Sequence, residues 1–102
     1  MLKKVYPSYV VKQGAQMDLW SPVVTGRWDD DLLQGRVYAI EMIENMRRSG
    51  HPTLLNHTVK AMIGHASWSG VEVGFFQYIS AELMGDSPLR HKWSDAIQEP
   101  TI

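Results

Sequence analysis

The run Asp29-Asp30-Asp31-Leu32-Leu33-Gln34-Gly35-Arg36-Val37-Tyr38-Ala39-Ile40-Glu41-Met42-Ile43-Glu44-Asn45-Met46-Arg47-Arg48-Ser49 decides the fold. Its apolar residues recur at helical spacing in two adjoining stripes. One follows Leu32, Ala39, Ile43 and Met46, and the other Leu33, Val37 and Ile40. Together they cover more than half the circumference, so this helix is expected to lie centrally with partners on two sides. Three aspartates open it and two arginines close it, each where the helix dipole favours that charge. Gly50 ends it.

Toward the carboxyl end, Pro52 starts a second helix, because its fixed φ suits the first helical position. Leu55, Val59, Met62 and Ile63 form its apolar face, widened by Leu54 and Ala61, and Gly64 is the stop. Ser69-Gly70-Val71-Glu72 has the spacing of a capping box and starts a third helix, with Trp68 and Val73 placed to staple its entry. Phe76, Ile79 and Leu83 make one apolar line there, beside Phe75 and Tyr78, and Gly85 is the end. The spacing Gly70-x-x-x-Gly74 suits close packing better than phosphate binding. Ser87-Pro88 repeats the cap-then-proline pattern, which predicts a short fourth helix to about Ile97 with Leu89, Trp93 and Ile97 inward. A helix so short depends on docking.

Toward the amino end, residues 1–27 hold Pro7, Gly14, Pro22 and Gly26, a density that rules out a long helix. Val5-Tyr6, Tyr9-Val10-Val11 and Val23-Val24 favour β structure. The expectation is an extended arm with one or two short strands. Its Tyr6, Tyr9, Val11, Met17, Leu19 and Trp20 are too apolar for a solvated tail, so its own helices or a second subunit must cover it.

The expected architecture is therefore mainly all-α. An arm over residues 1–27 precedes a helical part over 28–102, in which three main helices and a short C-terminal helix form one compact bundle. The length of 102 residues fits a single domain. Apolar residues make up 44% and charged residues 21%, which places the chain among globular proteins and outside the disordered class.

Absence of cysteine excludes disulfides, thiolate catalysis and cysteine-containing zinc sites. The four histidines lack helical metal-ligand spacing. His57 and His65 would lie about 12 Å apart along one helix, too far for a shared ion. Glu41 and Glu44 read as polar-edge residues of the first helix, with Arg47 and Arg48 within ion-pairing distance of Glu44. There is no Gly-x-Ser-x-Gly elbow, no Walker loop and no Gly-x-Gly-x-x-Gly. No catalytic residue, metal ligand or cofactor is assigned.

Ten Lys and Arg stand against eleven Asp and Glu, a formal net charge of −1. A dedicated nucleic-acid binder usually carries a basic excess. A helix-turn-helix reading also fails locally. The third helix has Glu72 and Glu82 but no Lys or Arg between Gly70 and Met84, and phosphates would repel it. The basic residues gather instead around the first interhelical turn, at Arg47, Arg48, His51, His57 and Lys60.

Four Trp and six Met are a rich apolar inventory for so small a chain. Trp20, Trp28, Trp68 and Trp93 all sit at element boundaries, and Trp and Met are enriched at interfaces. The resulting expectation is a non-enzymatic module that binds a protein partner or itself, most simply as a homodimer. Trp20, Trp28, Tyr9 and Leu19 are its candidate contacts. The alternative is a nucleic-acid-associated regulator using the basic turn, and the third is a small enzyme with a site assembled between subunits. With no signal-like leader and no membrane-spanning run, a cytoplasmic location is expected.

Overall fold

In the computed structural model, which describes residues 6–65 and 68–85, three helices follow a small antiparallel hairpin. Strand β1, Val11–Gln13, pairs with β2, Gln16–Asp18, in the register Val11↔Asp18, Lys12↔Met17 and Gln13↔Gln16. Gly14, at φ +59°, makes the tight turn between them. Helix α1 spans Trp28–Ser49, α2 Thr53–Gly64 and α3 Gly70–Leu83. Pro52 precedes α2 rather than opening it. The fourth helix expected from Pro88 lies outside the described residues. No helix among them is long and apolar enough to cross a membrane.

α1 and α3 run side by side in the same direction, with α2 carrying the chain back between them. Their contact rests on missing side chains. A Cβ on Gly35 would stand 1.9 Å from the carbonyl oxygen of Val71, and one on Gly74 would stand 2.1 Å from that of Leu32. Both distances are far inside van der Waals contact, so the two backbones touch at these points as only glycine permits. The expected close packing of Gly70-x-x-x-Gly74 is met at both glycines, tightest at Gly74 with Gly35 as its counterpart, while a Cβ on Gly70 would stand 3.0 Å from Asp31 Cβ. Arg36 extends the seam by donating to Gln77 Oε1 at 2.7 Å.

The α2 side is built in the opposite manner. α2 meets α1 only sparsely, and the space between is filled by the arm. Tyr9 and Trp20 flank the hairpin base, where the Ser21 N–H donates to the Tyr9 carbonyl at 2.8 Å. Both side chains are fully buried. Their rings lie 4.8 Å apart, and Trp20 sits 5.1 Å from Phe75 and 5.8 Å from Tyr38 in edge-to-face contacts. The Tyr9 hydroxyl bonds Thr58 Oγ1 of α2 at 2.8 Å, and burial pushes its phenol pKa up to about 12. The Trp20 indole donates to Glu72 Oε2 of α3 at 2.8 Å.

Glu72 serves two structures at once. Its Oε1 accepts the Ser69 backbone N–H at 2.6 Å, while Ser69 Oγ accepts the Val71 N–H at 3.1 Å, which realises the expected capping box. Its Oε2 anchors the arm. Burial pushes its carboxyl pKa up, but hydrogen bonds from Ser69 and Trp20 outweigh that and hold it below the ordinary value.

Four expectations change. Leu33 and Val37, read as one of two buried stripes, are 40% and 39% exposed, because α1 turns Leu32, Gly35, Ala39 and Met42 inward. Ile63 points to solvent while Thr58 and Met62 face in. In α3 the inner line is Val71, Gly74 and Phe75, which leaves Leu83 83% exposed at the helix end. Trp68, expected to staple onto Val73, stacks on Phe76 at 5.9 Å with ring planes 15° apart.

Candidate functional site

The sequence-derived candidates separate into three environments. Tyr9 and Trp20 are core residues of their own chain and have no surface left to offer a partner, which corrects their reading as contacts. Trp28 keeps an exposed ring whose edge covers Gly70, where an added Cβ would meet Trp28 Cε3 at 3.3 Å. Leu19 is half-buried at the mouth of a cleft.

That cleft, about 360 Å³ in volume, lies between β2 and α2. Asp18, His57, Lys60 and His65 supply its polar lining, and Met17, Leu19 and Ala61 its apolar one. Asp18 Oδ1 meets His65 Nε2 at 3.2 Å and accepts the Trp20 backbone N–H at 3.1 Å. The carboxylate therefore fixes both an imidazole and the end of the hairpin. A fixed imidazole can exchange protons, and Lys60 offers a positive charge nearby. Serine, threonine and tyrosine are missing from the described lining.

His57 and Lys60 belong to the cleft, whereas Arg47, Arg48 and His51 sit exposed at the far end of α1. Arg47 approaches Glu82 at 3.8 Å, and Arg48 lines a hollow with Glu41 and Glu44. Interleaved acids weaken the positive field a phosphate backbone needs.

Three acids do structural work that their surface-like sequence context concealed. Asp31 is buried and accepts from the Thr25 N–H (2.9 Å), the Thr25 hydroxyl (2.8 Å) and the Gly26 N–H (3.1 Å). Burial pushes its pKa up, yet these bonds prevail and leave it lowered. Glu41 holds the start of the arm through the Ser8 N–H at 3.1 Å and hydroxyl at 2.6 Å. Asp18 ties the hairpin to His65 of α2's end. No signal in the local sequence separates Asp31 from Asp29 and Asp30, because its partners are chosen by the arm's path.

Exposed apolar side chains occur along the arm (Tyr6, Val11, Met17, Val23, Val24) as well as on and beside the helices. Leu33 and Val37, with half-buried Ile40, form a stripe along α1 at i, i+4 and i+7. Just before α3, Trp68 (60% exposed) stacks over Phe76, and Leu83 is exposed at the other end of that helix. No known protein family, curated protein or solved structure matches this chain.

Proposed function

We propose that the chain is a small non-enzymatic interaction module that works by associating with a second copy of itself. The carrying observation is the exposure of large apolar side chains in helical register on α1, away from a core that Tyr9 and Trp20 already fill. Scattered single apolar residues are normal on a surface, whereas aligned ones mark a place where another surface is bound. The arrangement of the basic residues supports the same choice, since each arginine of the α1 end lies near a carboxylate. A cytoplasmic location and the short helix from Pro88 to about Ile97 belong to the same proposal.

Light scattering coupled to size exclusion, across a hundredfold range of concentration, tests it. The expected result is a mass rising from one chain toward two. A constant single-chain mass up to millimolar concentration overturns the reading.

A further inference from the structure

We propose that the cleft between β2 and α2 is a binding site for a small organic phosphate. Lys60 and His57 hold its phosphoryl group, and Met17, Leu19 and Ala61 receive an apolar body. The site is separate from the self-association proposed above and does not depend on it.

The charge balance on this side of the molecule carries the inference. β1, β2 and α2 with its cap contain Lys12, His57, Lys60 and His65 but a single acid, Asp18. The whole chain, by contrast, has a net charge of −1. Basic groups are thus gathered at one cleft of a slightly acidic protein, and low-dielectric walls focus their field there. His57 and Lys60 stand three residues apart on α2, so their side chains rise beside each other from one helical face. Lys12 lies opposite Met17 in the hairpin register and shares its face of the sheet. No carboxylate among the described residues pairs with Lys60. The one acid is already engaged, since Asp18 Oδ1 accepts from His65 Nε2 at 3.2 Å and from the Trp20 backbone N–H at 3.1 Å. The partial negative charge at the carboxyl end of α2 is confined to its last turn, which His65 caps, and His57 and Lys60 precede that turn.

The same groups set the chemistry of the ligand. An ammonium and an imidazole N–H act as separate donors, which suits the several oxygens of a phosphoryl group. The described lining holds no arginine, whose flat fork matches a carboxylate. A volume of about 360 Å³ falls at the small end of the range for ligand sites, roughly 300–1,000 Å³, so one ring or a short chain beside the phosphate fills it. The flexible thioether of Met17 adapts to such a body.

The test is an NMR titration of the full chain at neutral pH with phenyl phosphate, with inorganic phosphate and phenol in parallel. Phenyl phosphate at millimolar concentration should shift the His57 ring and the Met17 and Ala61 amides in a saturable way. Inorganic phosphate should move the same signals with weaker affinity, and phenol should leave them unmoved. Lys60→Gln, a change at an exposed position, should weaken phenyl phosphate roughly tenfold, the loss expected for one charge-assisted hydrogen bond. Asp18→Asn keeps an oxygen for the Trp20 N–H and removes the acid, so it should bind phenyl phosphate more tightly than the wild type. Absence of saturable shifts, shifts confined to the Arg47 and Arg48 end of α1, or equal affinity in Lys60→Gln would each overturn the site. Phenol binding as well as phenyl phosphate does overturns the phosphoryl group as the anchor. Loss of binding in Asp18→Asn, with the Ser21 amide signal unmoved, shows a cation site instead and also overturns the proposal. If that signal reveals a disturbed hairpin, the Lys60→Gln comparison decides alone.

Discussion

The α1–α3 seam and the α2 side of the core join helices by contrary means. At the seam, side chains are absent, and carbonyls stand where a Cβ would have to be. On the α2 side the helices stay apart, and two large rings delivered by the arm span the distance. Contact without side chains tolerates no added atom. Contact through large side chains tolerates no lost one. The same small domain is therefore sensitive to enlargement in one region and to truncation in the other.

The sharpest way to break this contrast is to add one methyl group to the seam. Gly35→Ala and Gly74→Ala should each destabilise the fold by roughly 3 kcal/mol or more, the upper range for overpacking, despite alanine's better helix propensity. Gly64→Ala, with open space around its Cβ position, should instead be neutral or stabilising by up to about 1 kcal/mol. Urea titrations of the three variants check this, and a stable Gly74→Ala protein would refute the backbone contact.

Truncation on the other side comes next. Trp20→Ala should cost about 3–5 kcal/mol, the usual penalty for removing a large buried aromatic residue. Trp20→Phe retains much of the ring volume but leaves the Glu72 carboxylate without its indole donor, at about 1–3 kcal/mol. The difference between these two variants separates filling from hydrogen bonding. Smaller again is Tyr9→Phe, which leaves the Thr58 hydroxyl buried without its partner, at about 1–2 kcal/mol.

Acid should loosen the arm before the seam. The carboxyls of Asp31 and Glu72 have folded pKa values below their ordinary values of 3.8 and 4.5. Their contribution is complete above those ordinary values and is lost as pH falls through the folded ones. Melting temperature should therefore hold steady from pH 7 to 5 and fall in the acid range. Asp31→Asn should flatten that fall. The smallest effect belongs to Arg47→Ala, whose solvent-exposed pairing with Glu82 at 3.8 Å should change stability by less than about 0.5 kcal/mol.

Legibility in the sequence follows the same division. Helix starts and stops depend on neighbours in the chain, so the α3 capping box and the stop at Gly50 were readable from residue order, whereas α2 runs through Gly64 to a cap at His65. Gly35 was readable in principle, since a glycine inside a strong helix implies close packing. The inward direction of α3 was not readable, because Phe76, Ile79 and Leu83 are as apolar as Val71 and Phe75. What decides between them is the glycine face, which brings α1 to one side. The arm posed the hardest case. Its apolar content demanded cover, but whether Trp20 served its own chain or another depended on Glu72, 52 residues away. Asp18 and His65, 47 residues apart, form the cleft's central pair for the same non-local reason.

The claim on which the rest depends is that the arm belongs to the core. Native-state hydrogen exchange of the Trp20 indole N–H and the Ser21 amide, followed alongside Ala39 and Phe75, tests it directly. Exchange of all four at one common slow rate, set by global unfolding, is the result the account predicts. Rapid exchange at Trp20 and Ser21, with Ala39 and Phe75 still protected, would contradict it.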